Sequence, residues 1–143
     1  MTKKSNVMKK VSDLDCKTII QSQPYVVLKF GATCCPPCIS ATKAIEALEP
    51  AFPQFEFLDV DIDKNEEYTV EMEVISMPAI FFVMNGVFVK NNYGNNLKVA
   101  DPQLMRDILK EMLEQQFNKS PHLFSGILEG KAQVAMILAK YFN

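Results

Sequence analysis

Two cysteines separated by two prolines constrain this 143-residue chain more than any other feature. The motif Cys35-Pro36-Pro37-Cys38 follows an apolar, β-branched run at 26–30 and precedes a stretch with apolar residues at helical spacing. This pattern predicts a buried strand that ends where a helix begins. The two thiols are therefore expected at the junction of strand and helix.

A helix N-terminus changes the chemistry of a thiol. Its unpaired backbone N–H groups and the positive end of the helix dipole stabilise a thiolate at Cys35, and the thiolate is the nucleophile of disulfide exchange. Cys38 lies one turn later on the same face, so it can resolve a mixed disulfide formed at Cys35. Pro36 and Pro37 suit the first helical positions because they lack N–H groups and have a fixed φ. The spacing predicts a redox-active dithiol.

The alternative is that this C-x-x-C motif supplies two of the four ligands of a structural zinc site. Zinc takes four ligands, usually from a second cysteine pair. The remaining candidates, Cys16, Cys34 and His122, do not stand at ligand spacing. We therefore expect no metal.

Composition and charge narrow the class of protein. A hydrophobic content of 48% predicts one packed domain, and a net charge of −2 gives no reason to expect nucleic acid as a partner. No apolar run reaches membrane-spanning length, so no membrane partner is expected. Three of the four cysteines crowd into residues 34–38, which favours a reactive thiol group in a reducing compartment over a secreted disulfide framework. A soluble, cytoplasmic protein with Cys16 buried in a helix is expected.

The remaining elements follow from caps, periodicity and turn signals. Strand, helix and strand in succession predict a parallel crossover unit. The predicted elements are a helix over Asp13–Gln21 capped by Ser12, strands at 55–62 and 79–84, a short helix at 65–73, an Asn85-Gly86 hairpin leading to a strand at 87–89, and a helix at 101–117.

Residues 56–73 hold eight of the chain's 17 acidic residues. The alternation of Asp59, Asp61 and Asp63 with apolar residues allows a cation site. A solvated acidic flank is the commoner outcome, and we favour it.

This order of elements, with a C-x-x-C motif at the first strand-to-helix turn, resembles thioredoxin. Matching features are the approach to the cysteines, the 57–61 strand, Met77-Pro78 before the hairpin and Gly94 after it. The resemblance covers residues 11–117 and implies an α/β thioredoxin fold, with a central mixed β-sheet flanked by helices. Residues 1–10 would form a basic N-terminal arm, and residues 118–143 a C-terminal helical extension.

The resemblance also implies roles for individual residues. Cys35 would attack and Cys38 would resolve, beside a cis peptide between Met77 and Pro78 whose backbone pairs with an extended substrate segment. The docking surface would be lined by Cys34, Pro36, Met77, Pro78, Tyr93 and Gly94.

Several positions depart from the family pattern. The usual motif is Trp-Cys-Gly-Pro-Cys, whereas this chain has no tryptophan and two prolines, as in nucleoredoxin and tryparedoxin. Cys34 either replaces an apolar side chain or joins the redox chemistry as a third thiol. Lys43 stands where the family has a helix-kinking proline.

Lys29 stands where thioredoxins usually carry a buried aspartate that helps to deprotonate the resolving cysteine. Asp59 occupies a position that is lysine in some bacterial relatives. Either the two charges have exchanged places and form a buried pair, or the Lys29 ammonium reaches solvent. In the paired arrangement the positive charge of Lys29 would favour the thiolate at both cysteines, and Asp59 is the candidate proton acceptor for Cys38.

The implied function is a thiol–disulfide oxidoreductase that reduces protein disulfides through a Cys35/Cys38 cycle. It needs no bound cofactor, and an unidentified reductase or dithiol donor would recycle it. The alternative is a binding module or adaptor that holds a protein partner in the groove or on the extension. The apolar stripe of the extension, residues 123–142, favours docking on the domain or a homodimer contact.

Overall fold

A computed structural model describes residues 8–91 and 93–115 of the chain. Predictions about the rest of the basic arm and about the C-terminal extension, including a homodimer through it, lie outside the described residues. The strands are β1 (Lys9–Lys10), β2 (Tyr25–Gly31), β3 (Glu56–Asp61), β4 (Ala79–Met84) and β5 (Val87–Phe88), and the helices are α1 (Asp13–Ser22), α2 (Pro36–Leu48), α3 (Glu66–Glu71) and α4 (Met105–Gln115).

The five strands form one mixed sheet in the order β1-β3-β2-β4-β5. β1 and β2 run parallel to β3, whereas β4 runs antiparallel to both β2 and β5. This confirms the predicted crossover and the predicted α/β fold with a central mixed sheet flanked by helices. In the pairing, Lys29 lies opposite Asp59 on one side, and Phe30 lies opposite Ala79 on the other.

Side chains of β2 alternate between two apolar layers, one on each face of the sheet. Val26, Leu28 and Phe30 pack with residues of α1 and α3, while Tyr25 and Val27 pack with residues of α2 and α4. The strand is buried along its whole length, so both faces are removed from water. Lys29 belongs to the α2 face because it shares the parity of Val27.

The N-terminal boundary differs from the prediction. A loose arm was expected over residues 1–10, but Lys9–Lys10 pairs with β3 and Met8 is only 3% exposed. Val11 continues this contact by donating its N–H to the carbonyl of Asp59 at 3.1 Å. The sheet therefore includes residues that the sequence assigned to the arm, because two lysines give no strand alternation to detect.

The edge strand is interrupted. The Asn85-Gly86 hairpin is confirmed, with φ angles of 52° and 81° that suit a tight turn between right-twisted strands. Val89 still donates its N–H to the carbonyl of Phe82 at 2.8 Å. The chain then makes an excursion that a bridge between Lys90 and Asn96 closes, and it returns to the sheet where Val99 pairs with Ile80. The predicted strand at 87–89 thus has a second part that the sequence analysis missed.

Both predicted helix caps are present. The Ser12 hydroxyl accepts a hydrogen bond from the N–H of Asp15 at 3.3 Å, and Asp101 accepts one from the N–H of Gln103 at 2.9 Å. The second cap begins a 3-10 turn at Pro102–Leu104 that leads into α4. No helix among residues 8–91 and 93–115 is long and apolar enough to cross a membrane.

Candidate redox site

The two cysteines of the motif lie where β2 passes into α2. Cys35 is the N-cap of α2, and its Sγ accepts a hydrogen bond from the N–H of Cys38 at 3.3 Å. Pro36 and Pro37 occupy the first helical positions. This confirms the helix start and provides the electrostatic environment that stabilises a thiolate at Cys35 in the reduced protein.

Cys35 and Cys38 are joined by a disulfide, with their Cα atoms 5.2 Å apart. They differ in access, because Cys38 is 1% exposed whereas Cys35 is half-buried. A molecule that approaches from solvent therefore meets Cys35 first.

A cis peptide joins Met77 to Pro78, as the resemblance implied. Because Ala79 pairs with Phe30, this peptide lies at the same end of the sheet as the disulfide. Pro78 is buried, Met77 is 36% exposed, and Ile75 is 92% exposed. The segment before β4 thus presents apolar side chains to solvent close to the two cysteines.

Lys29 and Asp59 form an ion pair beneath the site. The Nζ atom of Lys29 lies 3.2 Å from Oδ1 of Asp59 and 2.6 Å from Oγ1 of Thr42. The Lys29 side chain is 5% exposed and that of Asp59 is 18% exposed. This confirms the exchanged pair, and the alternative in which the ammonium reaches solvent is wrong.

Gly31 brings the pair and the disulfide together. A Cβ atom at Gly31 would lie 3.2 Å from Cys38 Sγ and 3.2 Å from Lys29 Nζ. Any side chain at this position would therefore press against both the sulfur and the ammonium.

A cavity of about 580 Å³ opens beside these groups. Its lining includes Cys38, Lys29, Thr42 and Asp59, together with the apolar side chain of Ile39. It gives solvent a route to the buried ion pair from the side of α2.

Comparisons with known proteins agree with this arrangement. A sequence model of the family described as thioredoxin matches residues 7–107. This chain belongs to the thioredoxin family. Members of the family are generally thiol–disulfide oxidoreductases that act on protein disulfides.

Individual relatives show how close the likeness is. The chain is similar to Thioredoxin-3 of Dictyostelium discoideum, with 33% identity over 92 residues, which cover 64% of this chain and 88% of that protein. It is similar to Thioredoxin-1 of Schizosaccharomyces pombe, with 32% identity over 91 residues, 63% of this chain and 88% of that protein. The crystal structure of thioredoxin from Trypanosoma brucei brucei shares its fold, with a TM-score of 0.67 and 23% identity over 80% of this chain and 97% of that one.

The strand register bears on the predicted docking residues of this thioredoxin-family chain. Tyr93 is 68% exposed, and Gly94 has a positive φ of 81°, both within the excursion of the edge strand. Since Val99 pairs with Ile80, the segment that follows Val99 lies beside Pro78. The exposed residue Ala100 lies in this segment but was not among the predicted docking residues. The alternation of Leu97, Lys98 and Val99, which indicates a returning strand, could have pointed to it. A docking role for Tyr93 and Gly94 stays a prediction.

Cys34 and Pro36 are exposed on either side of Cys35. The Thr33 hydroxyl lies 4.0 Å from Cys34 Sγ, a weak contact that leaves the thiol open to solvent. Their part in substrate docking stays a prediction, as does a redox role for Cys34.

Cys16 lies on the opposite face of the sheet from the disulfide. It is fully buried, and its thiol contacts the Tyr68 hydroxyl at 3.8 Å. Burial raises the pKa of the Cys16 thiol to about 11, and the hydrogen bond to Tyr68 offsets only part of that effect. The prediction of a buried helix cysteine is confirmed.

The described part of the chain holds no group of three or more histidine, cysteine or acidic side chains placed to bind a metal ion.

Proposed function

We propose that this protein reduces disulfides in protein substrates through a dithiol–disulfide cycle at Cys35 and Cys38. The observation that supports it best is the bonded cysteine pair at the start of α2, with one partly accessible sulfur and one buried sulfur. An accessible thiolate is needed for attack on a large substrate, and a second thiol within reach of Cys35 is needed for intramolecular resolution.

The cycle conserves atoms and electrons. The Cys35 thiolate attacks one sulfur of the substrate disulfide, and the other substrate sulfur leaves as a thiolate. The Cys38 thiolate then attacks Cys35 Sγ, which forms the Cys35–Cys38 bond and breaks the bond between Cys35 and the substrate. The two electrons of the dithiol reach the substrate, whose thiolates take up protons from solvent.

The segment before β4 is the proposed docking edge. Met77 and Ile75 expose apolar side chains there, and an extended substrate segment would pair with the backbone of Met77 as an added strand. The exposed neighbours Cys34 and Pro36 would complete the surface next to Cys35.

The proposed cycle requires no bound cofactor. An external reductase or dithiol donor would return the disulfide to the dithiol, and we place the protein in a reducing compartment such as the cytoplasm. The donor is a protein or small dithiol whose reduction potential lies below that of the Cys35–Cys38 pair.

Trapping of the mixed disulfide tests the assignment of the two cysteines. The Cys38→Ser variant should accumulate a covalent adduct with a disulfide-bonded protein, because it can attack but cannot resolve. The Cys35→Ser variant should form none. The opposite pattern would reverse the roles, and absence of an adduct with either variant would favour an adaptor that binds partners without exchanging disulfides.

A further inference from the structure

The cation buried under the redox site is tied to the resolving cysteine in two ways. Lys29 Nζ and Cys38 Sγ both lie 3.2 Å from the position that a Cβ atom would take at Gly31. The nitrogen and the sulfur are therefore at most 2 × 3.2 Å, or about 6.4 Å, apart. Lys29 also donates to Thr42 Oγ1 at 2.6 Å, and Thr42 in turn donates to the carbonyl of Cys38 at 3.1 Å. Thr42 thus holds the ammonium next to the first turn of α2.

Asp59 holds this cation from the neighbouring strand, and its atoms lie farther from the Gly31 Cβ position than the nearest atoms of Cys38 and Lys29. Its Oδ1 contacts Lys29 Nζ at 3.2 Å, in the register that β2 and β3 impose. The carboxylate therefore anchors the ammonium.

Lys29 is the most buried of the charged residues that line the cavity. The other charged groups that line the cavity are partly or fully exposed, and solvent screens them more strongly. The complete set from the elements packed here is Lys10, Lys29, Lys43, Glu46, Asp59, Asp61 and Lys64.

We infer that Lys29 is a positioning residue that stabilises the thiolate of Cys38 when the protein resolves a mixed disulfide, and that Asp59 acts through Lys29 rather than by accepting the Cys38 proton. This inference rests on the proposed function. The Cys38 proton leaves to solvent through the cavity, and the thiolate that remains faces an ammonium held in place by Thr42 and Asp59. Resolution thereby depends on a fixed positive charge.

The size of the effect follows from the charge and its anchor. An opposite charge within about 6 Å lowers the pKa of a thiol by about one to three units. The Asp59 carboxylate offsets part of the effect of the Lys29 charge, so the net lowering is about one unit. Removal of the Lys29 charge should lower the thiolate fraction of Cys38 about tenfold near neutral pH. Because a more basic thiolate is a better nucleophile, resolution should slow only about threefold.

The first measurement is an ultraviolet thiolate titration of the full-length chain in a Cys16→Ala/Cys34→Ser/Cys35→Ser background. Cys38 is then the one cysteine left of the four in the sequence, so the thiolate absorbance reports its ionisation. Lys29→Met should raise the midpoint by about one pH unit. The matched control Lys43→Met, an exposed lysine on the same cavity, should leave it unchanged.

The second measurement separates the two roles proposed for Asp59. Reduced protein with Cys35 and Cys38 intact and Cys34→Ser is mixed with the aromatic disulfide dithiobis(nitrobenzoate) in stopped flow. Attack by Cys35 releases the first chromophore, and resolution by Cys38 releases the second. Lys29→Met should slow the second phase about threefold at neutral pH. Asp59→Asn should leave it as fast or faster, because Thr42 Oγ1 still holds the ammonium and the counter-charge is gone.

Three results would overturn the inference. They are an unchanged Cys38 midpoint in Lys29→Met, an equal shift in Lys43→Met, and a slower second phase in Asp59→Asn, which would make Asp59 the proton acceptor. If Lys29→Met does not fold, the Asp59→Asn phase alone decides. If the parent protein releases both chromophores, any of these three results overturns only the role of Lys29 and leaves the dithiol–disulfide cycle in place. If the parent protein releases neither chromophore, the proposed cycle itself is overturned.

Discussion

Lys29 Nζ lies 3.2 Å from Oδ1 of Asp59, across a register that pairs these two residues on neighbouring parallel strands. The contact joins two charges that would be costly to bury singly. Lys29→Met should lower the free energy of unfolding by about 2 kcal/mol, because it leaves the mostly buried Asp59 carboxylate without its partner. The double variant Lys29→Met/Asp59→Leu should lose less. Urea unfolding of the four proteins in the cycle measures the coupling, and additive losses would show that the contact has no energetic consequence.

The buried thiol of Cys16 predicts a loss of stability in alkali. Burial raises its pKa from 9.0 to about 11, so the unfolded chain loses this proton first as the pH rises. The contribution of Cys16 to the free energy of unfolding should therefore be constant below pH 9 and fall by about 2 kcal/mol towards pH 11. Burial also raises the pKa of Tyr68, which adds a loss of the same sign.

The matched variant for this prediction is Cys16→Ala. Urea unfolding of the oxidised protein should show a smaller pH-dependent loss in the variant than in the parent. The same dependence in both proteins would assign the alkaline loss to Tyr68 or to other groups.

Gly31 predicts a steric limit beside the disulfide. The Cβ atom of Gly31→Ala would lie 3.2 Å from both the Cβ and the Sγ of Cys38, which is tighter than ordinary packing. The variant should lose about 1–2 kcal/mol of stability. Thr33→Ala, an exposed change in the same loop, should stay within about 0.5 kcal/mol. Equal thermal midpoints for Gly31→Ala and the parent would mean that α2 moves away freely.

Thiol alkylation should rank the cysteines of the reduced protein by thiolate stabilisation and access. Cys35 should react with iodoacetamide fastest near neutral pH, because it combines a helix N-terminus with partial exposure. Exposed Cys34 serves as the internal control, and fully buried Cys16 should react only after unfolding. Peptide mass spectrometry against time measures the three rates. Equal labelling of Cys35 and Cys16 would remove the physical basis of the mechanism.

The elements that carry strong local signals could be predicted from the sequence. Ser12 marks a helix start, Asn85-Gly86 marks a hairpin, and the paired prolines after Cys35 mark the first turn of α2. Each is a local rule of backbone geometry or hydrogen bonding, so no tertiary information is needed. The cis peptide at Pro78 came from the family resemblance, because the sequence alone indicates only a turn there.

Features that depend on distant partners were predicted poorly. Lys9–Lys10 forms a strand because β3 offers an open edge, and the return of the edge strand at Val99 depends on pairing with Ile80. The proximity of Lys29 to Cys38 was expected from the family resemblance, and the structure places both side chains against the Gly31 position. The periodicity of a sequence does not show which segment will pair with the edge of a sheet.

Reduction of insulin disulfides by dithiothreitol tests the central claim most directly. The parent protein should accelerate the precipitation of insulin chains, and Cys35→Ser should abolish the acceleration because the attacking thiolate is gone. Cys38→Ser should fall to a small residual rate, since the mixed disulfide then waits for an external thiol. Cys16→Ala should match the parent. Acceleration by Cys35→Ser equal to that of the parent would contradict the account.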